Sequence, residues 1–297
     1  MKIEVLANPG SGRGLGTERA RRIAELLSAR GHQVGFHPGR NRADAVAWTH
    51  QASTWAERLV VVGGDGTLSA VLDGLSAEAP PLVVSPLGTA NLLGHRLHLS
   101  ARPEDAVILV ERGKRQLLDV ATVRYRHEHA QRKRQAFLCL GFGFDGELMR
   151  RMDAERSGPI TKAHYLKYIG EALRHWDPAP QRVFADGEEL GVFSYGIFSG
   201  LGSYGSPQFR LCESTLDDGL WELVLFDDIN LLKGSLYAIA AAGGQLPKLP
   251  GVMVRQIRHL RLEGPKPTPL QVDGDHVGDT PLECSLEGMQ VPILVAP

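Results

Sequence analysis

Cysteine is scarce: Cys139, Cys212 and Cys284 lie far apart, with no Cys-x-x-Cys pair among them. That spacing excludes a disulfide framework, offers no zinc site and fits a reducing cytoplasm. An excess of charge of one sign is also missing. A formal net charge of −1 argues against a dedicated nucleic-acid binder, which needs a basic footprint. Long apolar runs are absent too, because Lys233 interrupts the best of them, residues 231–242, so no membrane span is expected. The opening MKIEVLANPG runs into a strand pattern rather than a basic segment with an apolar core, so no leader is expected either. There is no internal repeat and no low-complexity tract. With 43% hydrophobic and 23% charged residues the chain can bury a full core, and 297 residues suit two domains.

What is present has two textures. Residues 2–7, 33–36, 59–62 and 82–85 read as strands, and 17–29, 43–50, 67–75 and 103–112 as helices. This alternation predicts a parallel sheet covered by helices. After Gly113 come short β-branched or aromatic runs at 117–126, 135–142, 181–185, 192–199, 220–226, 252–262, 270–272 and 281–286. Gly, Asp and Pro turns separate them, which predicts an antiparallel β domain with a boundary near 118–121. Helical patterns at 161–176 and 229–242 interrupt it.

Three glycine and hydroxyl turns each follow a predicted parallel strand: NPGSGRGLG at 8–16, GGDGT at 63–67 and PLGTANLLG at 86–94. Such turns let a backbone approach phosphate and open a helix N-terminus toward it. None has the Gly-Lys-Ser/Thr ending of a P-loop, and none places the third glycine of a dinucleotide fingerprint. GGDGT carries the sharpest signal. A carboxylate at Asp65, where an anion would bind, requires a cation or a transferable proton between them. The local alternative is an Asx turn or helix N-cap.

In this order NPGSGRG, GGDGTLSAVLDGL, PLGTANLLG, GFGFDGELM, LDDGLWELVLF and QVDGD resemble the diacylglycerol kinase catalytic-domain family, most closely its soluble bacterial YegS-like lipid kinases. Sphingosine kinases and NAD kinases are relatives. The resemblance covers nearly the whole chain. It implies an α/β nucleotide-binding domain with a parallel sheet over residues 1–120, a lipid-substrate β-sandwich over 121–290, and a tail at 291–297 returning to the first domain. It also implies ATP as phosphate donor, with nucleotide contacts at Asn8, Ser11, Gly12, Gly39, Gly63, Gly64, Asp65, Gly66, Thr67, Gly88, Thr89 and Asn91. Asp65 would organise Mg²⁺, so that a cation stands between the two anions. The family's Asp-Gly-Glu becomes Asp273, Gly274 and Asp275 here, making Asp275 the general base with Asp273 in support. The shorter aspartate must close on the hydroxyl or use a water. Without the resemblance, VDGD reads as a hairpin turn. A second, structural Mg²⁺ would take the Asp218 carboxylate and the carbonyls of Thr215 and Leu220, where an acidic turn is the alternative. Gly39 stands where relatives often hold a nucleotide-contacting threonine, with Arg40 and Arg42 flanking it.

Two features could bring a soluble chain to a lipid. Arg124, Arg126, Arg132, Lys133 and Arg134 cluster on a predicted hairpin, with Arg112, Lys114 and Arg115 nearby. They suit an anionic leaflet or, alternatively, a solvated loop. The pattern at 161–176 carries Tyr165, Leu166, Tyr168, Ile169, Leu173 and Trp176 beside Lys162, Lys167 and Arg174, suiting an interface or core packing. The expectation is a cytoplasmic, peripherally membrane-associated, ATP-dependent lipid kinase, with diacylglycerol as first substrate and a homodimer left open. The alternatives are a kinase of a sphingoid or soluble alcohol, and a nucleotide- or lipid-binding protein without turnover.

Overall fold

Apolar residues at Ala20, Ile23 and Leu27 line one side of α1 (Gly16–Ser28), and this spacing lays the helix against the apolar core of a strand layer that includes Ile3, Val5, Val60 and Val83. Those strands are β1 (Lys2–Ala7), β2 (Gln33–Pro38), β3 (Arg58–Gly63) and β4 (Leu82–Pro86), all mutually parallel. Between and after them run α2 (Arg42–Ala52), α3 (Asp65–Gly74), α4 (Leu92–Arg96), α5 (Pro103–Arg112) and β5 (Lys114–Asp119). Arg42 on α2 donates to Ser69 and pairs with Asp73 on α3 at 2.6 Å, tying the two helices together. The computed structural model describes residues 1–76, 78–154, 168–172, 179–227 and 229–297.

The chain divides into two compact units, the first Met1–Val120 with Gly288–Pro297 and the second Ala121–Glu287. In the second, β6 (Ala121–His127) and β7 (Ala130–Ala136) form a hairpin, followed by β8 (Cys139–Gly143) and α6 (Phe144–Ala154). Then come β9 (Gln181–Ala185), β10 (Glu188–Phe193), β11 (Tyr195–Ser199), β12 (Ser203–Tyr204), β13 (Ser206–Arg210) and β14 (Trp221–Phe226). Helix α7 (Leu231–Ala242) precedes β15 (Val252–Ile257), β16 (His259–Glu263), β17 (Pro269–Val272) and β18 (Asp275–Ser285). One edge of β18 serves β17 in its first half and β16 in its second, while the other edge serves β6. This branching builds an antiparallel β-sandwich around Phe142, Phe198, Trp221, Leu260 and Leu270. The last strand, β19 (Gln290–Val295), belongs to the first unit, whose sheet order is β2-β1-β3-β4-β19-β5.

Several runs expected as single strands are two. Residues 117–126 break at Val120, whose N–H donates to Met289 O, and 135–142 break at Phe137 and Leu138, whose N–H groups donate to the Asp273 carboxylate. Residues 252–262 break at Arg258, whose N–H donates to Asp186 Oδ1. The run 192–199 also divides, between β10 and β11. The expected strand 281–286 is the end of an 11-residue strand that begins at Asp275. The helix expected over 161–176 lies outside the described residues apart from 168–172, which are helical.

Candidate active site

Asn8 follows β1 directly, and each of its polar groups fixes a loop. Its backbone N–H donates to Val62 O at 3.0 Å, its Nδ2 donates to Thr67 Oγ1 at 2.9 Å, and its Oδ1 accepts from Gly10 N at 3.0 Å. The first loop is thereby stitched to GGDGT. Ser11 N donates to Asn8 O, and Gly12, in the left-handed region at φ 60°, packs so tightly that a Cβ would meet Leu87 Cγ at 2.5 Å. The third loop joins through glycines. A Cβ on Gly64 would lie 2.8 Å from Gly88 Cα, so these backbones touch, while Asn91 closes its own loop by accepting from Gly88 N at 2.8 Å and donating to Gly88 O at 2.9 Å.

Asp65 is the first residue of α3. It accepts from Leu92 N at 2.9 Å through Oδ2, a contact between loops distant in sequence. Burial raises its pKa, against the N–H groups of Leu92, Leu93 and Asn91 and the charge of His95. Gly66, beside it, is exposed, and a Cβ there would meet nothing within 4 Å. That open space at a helix N-terminus fits phosphate oxygens, and one carboxylate alongside them suits Mg²⁺, which takes few protein ligands and shares substrate phosphates. Thr67 is buried beneath the loop and Thr89 is exposed on it. Gly39 lies past the end of β2 and donates to Ala7 O at 2.8 Å. Its neighbours are engaged in the fold: Arg40 pairs with Asp44 at 3.0 Å, and His37 bonds the same carboxylate at 2.9 Å. Arg40, by donating to Asp44, holds that carboxyl well below the usual range.

The second unit holds a separate group of carboxylates on the β17–β18 hairpin. Asp273 and Gly274 form its turn, both left-handed at φ 51° and 86°, and Val272 pairs with Asp275 across it. VDGD is therefore a two-residue hairpin turn of the type Asp-Gly favours. The Asp273 carboxylate is buried and accepts from the N–H groups of Phe137, Leu138 and Cys139, at 2.9 Å from Leu138. Burial pushes its pKa up to about 6, opposed by those N–H groups and by Arg134. Asp275 is different: its side chain is 41% exposed and pairs with Arg134 at 3.1 Å.

Sequence reasoning about chemistry passed over Asp145, in GFGFDGELM at the start of α6. It is fully buried, accepts from the Tyr204 hydroxyl, and is pushed up to about 6 by burial, against the bonds from Tyr204 and Gln271. Gln271 also donates to Cys139 Sγ at 3.3 Å and accepts from Gly274 N at 2.8 Å. The Asp145 network thus reaches the turn that carries Asp275. The available signal was an acidic residue within an otherwise glycine and aromatic run, GFGFDG. The turn at 215–220 is simpler: Asp218 is exposed and its Oδ1 accepts from Leu220 N at 3.0 Å, while Thr215 is exposed on the same turn. Among the described residues there is no group of three or more His, Cys, Asp or Glu that could hold a metal ion. On the β6–β7 hairpin Arg124, Arg126, Arg132 and Lys133 are exposed, whereas Arg134 turns to Asp275.

A helix-covered parallel sheet with glycine loops at its carboxyl edge, followed by an antiparallel sandwich with a carboxylate hairpin, defines a two-unit architecture of the NAD kinase type. Residues 2–123 match the diacylglycerol kinase catalytic domain and residues 139–295 match the YegS C-terminal NAD kinase beta sandwich-like domain; the chain belongs to this diacylglycerol kinase family. It is 25% identical over 293 residues to a diacylglycerol kinase of Staphylococcus carnosus (strain TM300), covering 94% of this chain and 90% of that one. A crystal structure of a diacylglycerol kinase from Bacillus anthracis str. Sterne superposes with TM-score 0.70 at 16% identity, covering 100% of this chain and 97% of the other. Yeast NADH kinase complexed with NADH gives TM-score 0.56 at 13% identity, covering 100% of this chain and 84% of the other, a likeness of fold. Family membership supports a phosphotransferase. No helix among the described residues is long and apolar enough to cross a membrane.

Proposed function

We propose that this chain is an ATP-dependent lipid kinase that transfers the γ-phosphate to a lipid hydroxyl, diacylglycerol being the first choice. The observation that carries the reading is the closure of three loops around Asp65 at a helix N-terminus, with Gly66 left open beside it. In this reading the backbone N–H groups of Gly64 to Thr67 hold the β- and γ-phosphates and the helix end favours their charge. Asn8, Ser11, Gly12, Gly88, Thr89 and Asn91 shape the rest of the nucleotide pocket. Mg²⁺, held by Asp65 and the phosphates, supplies charge neutralisation. Asp275 takes the proton of the acceptor hydroxyl as its oxygen bonds to the γ-phosphorus and the bond from that phosphorus to ADP breaks. Asp273 positions Asp275 by locking the turn between them.

A second reading, a nucleotide- or lipid-binding protein without turnover, is favoured by the Arg134 ion pair, which engages the Asp275 carboxylate that must accept the proton. Incubating the purified protein with γ-labelled ATP, Mg²⁺ and separate acceptors separates the readings. Diacylglycerol, a sphingoid base and a soluble alcohol should be tested in parallel. Label is expected in diacylglycerol above the others. Label in the sphingoid base alone would move the substrate class, and ATP binding without label in any acceptor would favour the binding protein.

A further inference from the structure

Helix α7 is apolar on both sides. Its inner side buries Tyr237, Ala240 and Ala241, with the Tyr237 ring 5.0 Å from that of Phe226. Its outer side should then carry charge, as surface helices do. Instead Leu232, Leu236 and Ile239, spaced i, i+4, i+7 on one stripe, are 81%, 49% and 72% exposed. Ala238 and Ala242 flank them, and Phe209, on the strand β13 that packs against the helix, is also exposed. A helix apolar all round is normally covered, so this face has an absent partner.

We propose that the outer face of α7 docks on a lipid bilayer, with Leu232, Leu236 and Ile239 entering the boundary between headgroups and acyl chains. Charge favours this occupant. Residues 229–251 contain Lys233 and Lys248 and no acidic residue, in a chain with 34 Asp and Glu. The acidic pair Asp227 and Asp228 comes before the helix in sequence, while from the helix through the turn after it the charged residues are lysines, which suits an anionic leaflet. Area disfavours a second copy of the chain. A stable protein interface takes about 800 Å² from each partner, and a stripe one helix wide, 12 residues long, does not supply it. A bilayer sets no such threshold, since single amphipathic helices bind it. The inference rests on the lipid-kinase reading only in giving the docking a purpose, because the second unit is where that reading puts the lipid acceptor.

The test is sedimentation of the full chain with vesicles of phosphatidylcholine alone and of phosphatidylcholine mixed with phosphatidylglycerol. The protein should bind both and bind the anionic vesicles more tightly. Replacing the stripe (Leu232→Ser, Leu236→Ser and Ile239→Ser together) should lower partitioning about tenfold or more, since each side chain loses its transfer out of water. Ile239→Trp, at an exposed position that leaves the fold undisturbed, should shift its emission to the blue when vesicles are added. Unchanged partitioning of the triple variant, or an unshifted emission, would overturn the proposal. So would a dimer of the unmodified chain at sedimentation equilibrium that the triple variant dissociates, because the stripe would then face a second copy. A water-soluble short-chain diacylglycerol keeps the two readings apart. Phosphate transfer to it with no effect of the stripe on vesicle binding removes the docking surface alone. Stripe-dependent vesicle binding with no transfer to any acceptor removes the kinase alone.

Discussion

Asp273, Gly274 and Asp275 divide their labour by geometry. Asp273 spends its carboxylate on three N–H groups and Gly274 takes a φ of 86°, so of the two aspartates at this turn Asp275 is the one a substrate could reach. If it is the base, Asp275→Asn should lower kcat by about 10²- to 10⁴-fold with little change in ATP affinity, and Asp275→Glu should keep or raise kcat. An asparagine variant with unchanged kcat would leave only the turn. Asp145 makes a prediction about pH. Its folded pKa near 6 lies above the unfolded value near 3.8, so the folded chain binds the proton more tightly. Stability is therefore lost as pH rises through that window. Asp145→Asn keeps an acceptor for Tyr204 and removes the loss. Its melting temperature should exceed that of the unmodified chain by on the order of 5 °C at pH 7, and the gap should close as pH falls to about 4. A gap that does not change with pH, measured by calorimetry, would mean that Asp145 is not held back from ionising. Neither the Asp145 network nor the Asp273 cradle was legible from the chain, because their partners Tyr204, Gln271 and Phe137 are distant in sequence and no local pattern announces them.

Helix α3 and the loops around it offer two glycines with opposite demands. At Gly64 an added Cβ would press on the Gly88 backbone at 2.8 Å, which no rotamer change relieves. Gly64→Ala should cost about 1–3 kcal/mol and lower the melting temperature. At Gly66 the space is open, so Gly66→Ala should hold or raise stability by up to about 1 kcal/mol, as alanine for glycine does within helices. If phosphates lie against that backbone, the same change should weaken binding of a non-hydrolysable ATP analogue. Loss of affinity without loss of stability is the signature to look for, and unchanged affinity would place the phosphates elsewhere. At this scale the α/β unit was readable, because a change from strand to helix is a change of period and glycines mark the joins. The β unit was readable as a class but not in its corners. Arg258 sits inside a run with no turn residue, and what breaks that strand is an N–H donated to Asp186 Oδ1. Conversely Asp275, Gly278 and Pro281 look like turn residues and lie within the longest strand described.

The whole chain closes its first sheet with its last strand. β19 sits between β4 and β5, pairing antiparallel with β5 from Gln290–Asp119 to Val295–Lys114, and it buries Val291, Ile293 and Leu294. The glycine loops of the first unit therefore depend on residues remote from them in sequence, and none of those residues belongs to the candidate site. Fully burying such side chains is worth about 1.5–3 kcal/mol each, so three of them approach the 5–15 kcal/mol by which a typical domain is stable. Their loss would also leave facing edges of β4 and β5 unpaired. Deleting residues 290–297 should therefore abolish cooperative unfolding of the first unit and ATP binding together, although it removes no proposed ligand. Deleting only Ala296 and Pro297, both exposed and outside the strand, should change neither. Calorimetry and nucleotide titration on the two truncations decide the matter. A chain lacking residues 290–297 that still melts cooperatively and binds ATP with unchanged affinity would show that the sheet holds its loops without β19.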